Sequence, residues 1–294
     1  MGRNRLRGFT LLEAIAVMVI TGVIVGAVAV FMQRPIQGYL SSTARAALAD
    51  TADAALRRIA RDVQIALPNT VRVDPTGLFL EFIPVKTGGR YQQNDACFST
   101  GGCSSLSTFG DMLSAVQVTT GSDSVAIYNQ YNNSGADCDP ATPGLYSAYC
   151  GHGVAVLSSA SGAGSTTNTL GIPPGTRFLP LGGSPTRRVF IIAASPVTYA
   201  CDAASNTLWR ISGYTRQPPQ PATLAAPPLS NATSKVPLAT NVSCPAVVAG
   251  SVPARFSYTT GSSERDSLLS AWITLQNSGE SVSLLHQIHV DNTP

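Results

Sequence analysis

Glu13 is the only charged residue between Phe9 and Met32. A lone carboxylate in an apolar run has one evident chemistry, which is to meet a cation. Three histidines offer imidazoles: His152, His286 and His289. The last two are three residues apart, an offset that puts them on opposite faces of a strand, so a shared metal is not expected of them. The six cysteines are Cys97, Cys103, Cys138, Cys150, Cys201 and Cys244. None stands in the C-x-x-C spacing that suits thiolate metal ligands, and an even count in a membrane-targeted chain points to disulfides in an oxidising compartment. Sequence leaves their connectivity open. Sequential pairing is the preferred reading, with Cys97–Cys103 and Cys138–Cys150 closing small loops and Cys201–Cys244 enclosing a proline-rich excursion.

Other polar groups read as structural. Asp137, Asp139 and Asp202 are oxygen ligands of the kind Ca²⁺ takes, but no EF-hand loop surrounds them, and turn formation is the expected role. The Asn-x-Ser/Thr triplets at Asn132, Asn231 and Asn241 are expected by chance in so Ser- and Thr-rich a chain. No G-x-S-x-G elbow, H-E-x-x-H pair or P-loop occurs. The expectation is therefore no catalytic residue, no metal, no cofactor and no enzymatic activity.

The element that must position Glu13 is an apolar helix. The 294 residues carry 19 Lys or Arg against 16 Asp or Glu, a formal charge of +3. Arg3, Arg5 and Arg7 account for that excess, and residues 9–294 hold 16 basic and 16 acidic side chains. A broadly basic nucleic-acid binder is excluded, because no cluster of cations survives to neutralise phosphates. Residues 10–32, as a helix, reach about 35 Å, enough for a hydrocarbon core of ~30 Å. Arginines before the span and none close behind place the N-terminus in the cytoplasm and the remainder outside it. Burying an acid in such a span costs about 2.5–3.5 kcal/mol, so a partner is expected, with snorkelling to the interface as the bland alternative.

Arg7-Gly8-Phe9-Thr10-Leu11-Leu12-Glu13 resembles the prepilin processing motif of type IV pilins and type II secretion pseudopilins. The resemblance implies that a prepilin peptidase cuts between Gly8 and Phe9 and methylates the new N-terminal Phe9. It also implies that Glu13 neutralises a neighbouring subunit's N-terminal amine during assembly. The competing reading is a signal-peptidase site at Ala27-Val28-Ala29, releasing a chain that begins at Val30. The long apolar stretch and its Glu13 are unlike a signal-peptide h-region.

Past the span, Pro35 is expected to kink or interrupt the helix. Leu48, Ala52, Leu56, Ile59, Val63 and Leu67 then recur every three or four residues, one apolar stripe at helical period. Asp53 with Arg57, and Arg58 with Asp62, stand at i,i+4 and are expected to give exposed support, and Pro68 is expected to end the helix. The segments Arg34–Tyr39, Ala54–Asp62 and Glu280–Asn292 resemble the O-type minor pilins of mannose-sensitive haemagglutinin (MSHA) pilus systems, relatives of the J-type pseudopilins of type II secretion.

Beyond Pro68 short β-branched runs bounded by turn residues dominate: 70–73, 78–83, 116–119, 125–130, 154–158, 188–194, 207–212, 255–259, 272–276 and 282–290. Residues 158–168 and the proline-rich 218–228 are expected as surface loops. The expected fold is α+β and type IV pilin-like: a long N-terminal helix, half transmembrane and half amphipathic, on an antiparallel, disulfide-stapled sheet head. The expected divisions are a leader 1–8, a transmembrane and assembly helix 9–33, an amphipathic stem 34–67 and a head 68–294.

The implied role is a minor pilin that primes or caps a type IV, MSHA-like filament at or near its tip. A tip adhesin and a J-type pseudopilin are the alternatives. The implied partners are the prepilin peptidase, other minor and major pilins and the inner membrane, with no nucleic acid. The implied location is the inner membrane before assembly, then a periplasmic or cell-surface pilus.

Overall fold

The computed structural model describes residues 9–92, 95–114, 116–131, 138, 146–244, 255–260 and 266–293. One helix, α1 (Leu11–Gln64), runs for 54 residues, about 80 Å. Thr10 caps it in an extended conformation, its side-chain oxygen accepting from the Glu13 N–H. Of the kink or interruption expected at Pro35, the interruption does not occur, since α1 continues through it. Proline removes one backbone hydrogen bond, but long helical segments flank it on both sides, and helix propagation is favourable once nucleated. Pro68 does not end the helix either. The chain leaves α1 at Gln64, where the sheet captures it: Leu67 N–H donates to the Ile83 carbonyl at 2.8 Å and Val85 N–H to the Ile65 carbonyl at 2.8 Å.

Three antiparallel sheets follow. The first has the order β1 (Arg72–Val73), β2 (Phe79–Phe82), β10 (Val197–Asp202), β11 (Thr207–Ser212), β12 (Ser234–Thr240). The second is β13 (Arg255–Thr260), β14 (Asp266–Asn277), β15 (Glu280–Asp291). Ser278 and Gly279 join β14 to β15 with φ of 51° and 85°. Positive φ at both positions is the type I′ geometry that suits a two-residue hairpin. Residues 241–243 tie the first two sheets into one layer: Val242 bridges Leu275, and Gln276 N–H donates to the Asn241 carbonyl at 2.9 Å. The third sheet has the order β6 (Val154–Val156), β5 (Ser124–Ala126), β9 (Arg188–Ile192), β3 (Val85–Tyr91), β4 (Cys103–Phe109), β8 (Thr167–Thr176), β7 (Ser159–Ser161). The architecture is α+β and type IV pilin-like.

The stripe read from the sequence is the buried face of α1. Leu48, Ala52, Leu56, Ile59 and Val63 pack with Leu80 and Phe82 of the first sheet and with Ile273 and Ile288 of the second. The alanines at 52 and 55 let sheet side chains approach the helix backbone. Each large side chain so buried contributes about 1.5–3 kcal/mol before the entropy of ordering it is counted. Leu67 continues the stripe beyond the helix and joins Ile83, Tyr149 and Ile192 in a separate cluster facing the third sheet.

Three polar clusters fix these layers. Asp62, expected as exposed support, is buried; it receives Arg58 Nε at 3.2 Å, Arg210 Nε at 2.7 Å and the Tyr199 hydroxyl at 2.8 Å. Burial, then the Asp62 charge, pushes the Tyr199 phenol above its ordinary range. At the end of the stem, Asn69 adopts φ 58° and its N–H donates to Asn292 Oδ1 at 3.0 Å, while its amide nitrogen donates to the Asn129 carbonyl at 2.9 Å. This ties stem, third sheet and C-terminus together.

The third cluster is an ion pair sealed from water. Arg72 and Glu81 are 1% and 0% exposed, and Arg72 Nη2 lies 2.6 Å from Glu81 Oε2. The Tyr214 hydroxyl donates to Glu81 Oε1 at 2.8 Å, and the guanidinium lies 3.5 Å over the Tyr149 ring. Arg72 also donates to the Pro218 carbonyl at 2.6 Å and the Gln217 carbonyl at 2.9 Å. Gln220 Nε2 donates to the Phe79 carbonyl at 3.0 Å. The proline-rich segment is thus not a surface loop alone; it is the cover over this pair. Burial raises the Glu81 pKa against the pull of Arg72 and the Tyr214 hydrogen bond.

Other expectations need correction. Residues 116–119 form no strand; their Thr119 N–H is turned to Asp123 Oδ2 at 2.6 Å. Residues 158–168 are not a plain loop, because they contain β7 and the start of β8, and Asn168 is buried with its Oδ1 accepting from Met112 N–H at 2.7 Å.

Arg72→Met is expected to destabilise the full chain in detergent by about 3–5 kcal/mol, because it strands a buried carboxylate. Protonating Glu81 removes that uncompensated charge, so the folded variant binds a proton its unfolded chain does not. Its stability deficit therefore shrinks as pH falls from about 8 to about 4, which denaturant melts at both pH values would measure.

Candidate functional site

The N-terminal segment is the strongest site. Thr10 and Glu13 stand in the S/T-x-x-E spacing of a capping box; Glu13 N–H donates to Thr10 Oγ1 at 3.3 Å and to the Thr10 carbonyl at 3.1 Å. The cap fixes the start of α1 and puts Glu13 in its first turn, where the helix dipole favours a negative charge. Glu13 is exposed, and no cation among the described residues lies within ion-pair reach of it. Gly8 and the three leader arginines lie outside the described residues.

Around Glu13 the helix is bare. Phe9 is 73% exposed and Leu11, Leu12 and Phe31 are 79–85% exposed. Apolar side chains remain uncovered as far as Tyr39 and Leu40, and burial begins at Leu48. The first half of α1 is long and apolar enough to cross a membrane and fits a membrane anchor. The arrangement is chemically simple: an apolar rod with a carboxylate near one end, continuous with a stem that is locked into a folded head.

A family model described as the prokaryotic N-terminal methylation motif matches residues 3–29. The segment is prepilin-type. Neither the curated proteins nor the solved structures contain a match to this chain. The matched residues include Arg3, Arg5, Arg7, Gly8, Phe9 and Glu13 and the first part of α1. Together with the helix-on-sheet architecture they support a type IV pilin or pseudopilin subunit, a family of structural rather than catalytic proteins.

The cysteines form three disulfides, Cys97–Cys103, Cys138–Cys150 and Cys201–Cys244. The first closes the loop from the single-turn helix Ala96–Phe98 to β4, and the third joins β10 to the segment after β12. Asp95, Cys97 and Cys103 bring three potential metal ligands together. Their donors are spent, however: the sulfurs are bonded to each other, and Asp95 accepts from the Cys97 N–H at 2.9 Å and the Ser107 N–H at 3.1 Å.

His286 and His289 lie on β15 with opposite faces, His286 half-buried with the inward row and His289 exposed. His152 lies far along the chain in the turn before β6. Asp202 closes a turn, accepting from the Ala204 N–H at 3.0 Å and the Ser205 hydroxyl at 2.6 Å. Asp137, Asp139 and Asn132 lie outside the described residues; Asn231, ending the single-turn helix Leu229–Asn231, and Asn241, in a bend, are exposed.

Sequence reading missed the links that hold the head to the stem. Arg45 reaches Glu280 at the tip of the β14–β15 hairpin, and Asp62 gathers Arg210 and Tyr199 from separate strands. No periodicity pairs residues so far apart. One signal was present for the buried ion pair: Glu81 interrupts the apolar run Leu78-Phe79-Leu80-Glu81-Phe82-Ile83, and a charge there needs a partner.

Replacing both Cys201 and Cys244 by alanine is expected to lower stability by about 4 kcal/mol, given a separation of 43 residues. The same change at Cys97 and Cys103, separated by 6 residues, is expected to cost about 2 kcal/mol. Denaturant unfolding of the full chain checks the ranking.

Proposed function

We propose that this chain is a minor pilin that primes or caps a type IV, MSHA-like filament at or near its tip. The observation that carries the reading is the uncovered apolar half of α1 with Glu13 in its first turn, rigidly continuous with a disulfide-stapled head. A prepilin peptidase removes residues 1–8 and methylates Phe9. The membrane holds the exposed helix until other pilin helices replace the lipid around it. Glu13 then pairs with the N-terminal amine of a neighbour, which offsets the cost of carrying a carboxylate in an apolar surround.

Removing the leader also removes Arg3, Arg5 and Arg7, so the mature chain is formally neutral. Glu13 is then the one charged side chain in the apolar stretch through Met32, and the amine of Phe9 is the cation that each subunit offers to a neighbour.

The O-type assignment has its own support. Two segments that carry that resemblance, 54–62 and 280–292, share one core: Ala55, Leu56 and Ile59 of α1 pack with Ile288 and Val290 of β15. The likeness therefore falls on one packed unit.

Mass spectrometry of the mature protein is expected to find methylated Phe9 as the first residue; a terminus at Val30 would reject the reading. Glu13→Gln is expected to leave cleavage and methylation intact while reducing incorporation into filaments by more than about tenfold. Unchanged incorporation would remove Glu13 from the assembly step. A clean deletion is expected to abolish or reduce filament number, and normal piliation would refute the initiating role.

A further inference from the structure

Four sealed polar atoms among the described residues have no hydrogen-bond partner in this chain: Ser124 Oγ, Ser147 Oγ, Gln220 Oε1 and Arg216 Nη1. Three are neutral, and an unmet neutral group carries a modest cost. The fourth belongs to a cation, and a charge held out of water without a counter-charge costs far more. Such an atom calls for a partner from outside the fold.

Arg216 opens the proline-rich cover, one residue ahead of the Gln217 carbonyl that accepts from Arg72. Its side chain forms no ion pair or hydrogen bond with the described residues. The polar groups of the neighbouring cluster are spent. Glu81 offers one oxygen to Arg72 and the other to the Tyr214 hydroxyl, and the Tyr149 hydroxyl donates to the Thr70 carbonyl at 2.9 Å. Burial holds the Arg216 guanidinium below its ordinary range, with the nearby Tyr149 phenol acting the other way. Arg72 and Glu81 cancel, so Arg216 leaves this cluster with one uncompensated positive charge.

The guanidinium is sunk on one side only. Nη1 is sealed, whereas Arg216 as a whole is partly exposed, and neither Nε nor Nη2 is among the sealed atoms. The open edge is the one whose two parallel N–H groups match a carboxylate.

We propose that the Nε–Nη2 edge of Arg216 is a binding site for a carboxylate monoanion. Charge sets the valence: one negative charge neutralises the cluster, and a dianion such as phosphate overshoots it. Shape sets the class: a planar carboxylate meets both N–H groups, and a spherical halide meets them poorly. Burial of Nη1 has already stripped part of the water from the cation and restricts its side chain, so less is lost when the anion docks. The site does not depend on the pilin reading.

The test is thermal unfolding of the full chain in detergent, in sodium acetate and in sodium chloride at equal ionic strength. Acetate is expected to raise the midpoint by about 3 °C over chloride. Arg216→Gln is expected to lose that difference. Arg216→Lys keeps the stem and the charge, and so tests the fork even where Arg216→Gln does not fold; it is expected to lose at least half of the difference. The Nε–H resonance of Arg216, identified by its loss in Arg216→Lys, is expected to shift with acetate and saturate.

Two capped peptides, Gly-Glu-Gly and Gly-Gln-Gly, separate the sources of the carboxylate. A response to the first and not the second supports a site that admits an acidic side chain, and a response to acetate alone supports one for small carboxylates. An equal response to chloride or phosphate overturns the proposal, as does an acetate effect that survives in Arg216→Gln or an Nε–H resonance that does not move.

Discussion

The buried pair of Arg72 and Glu81 is the interaction on which the arrangement of layers depends. Arg72 lies on β1 and Glu81 on β2, cross-strand neighbours just after the stem. Their remaining hydrogen-bonding capacity is met by three different parts of the chain: Tyr214 from the end of β11, the carbonyls of Gln217 and Pro218, and the Tyr149 ring from the single-turn helix Ala148–Cys150. An ion pair out of water is stable only when such partners are all present. The pair therefore specifies where the proline-rich cover lies and how the third sheet meets the first.

The stem is fixed by a different logic. Its inner face uses small residues at 52 and 55 to approach the sheet and large ones at 48, 56, 59 and 63 to fill it. Asp62 then sets the rotation of the helix by meeting Arg210 and Tyr199, and Asn69 sets where the chain turns away. Ahead of Leu48 the described side chains of α1 are mostly exposed, with Arg45 reaching Glu280, so the transition from bare to buried helix falls within a single element. A force applied to the exposed half is transmitted into the core without passing through a loop.

Much of this was legible in the residues. The apolar run, Glu13 within it and the heptad-like stripe of the stem are local patterns, and local patterns determine helices. The strand at 207–212 was readable for the same reason, with β-branched and aromatic residues bounded by turns. Strands β4 and β8 were not, because Ser, Thr, Gly and Pro give them little period-2 contrast; they are strands by virtue of the neighbours they pair with. Pro35 does not interrupt α1, because one missing hydrogen bond does not outweigh helix on both sides. The cover function of residues 217–220 was invisible because its donors, Arg72 and Gln220, come from segments about 146 to 148 residues apart.

The parallel course of β15 and α1 has a consequence for folding. Arg45 meets Glu280 at one end of the strand, and Asn69 meets Asn292 at the other. Ile288 and Val290, which cover Ile59 and its neighbours, stand far from the stem along the chain. The apolar face of the stem therefore closes only when the β14–β15 hairpin docks, a contact of long sequence separation whose loop-closure entropy must be met first. Completion of the head and burial of the stem are one event, timed by that hairpin.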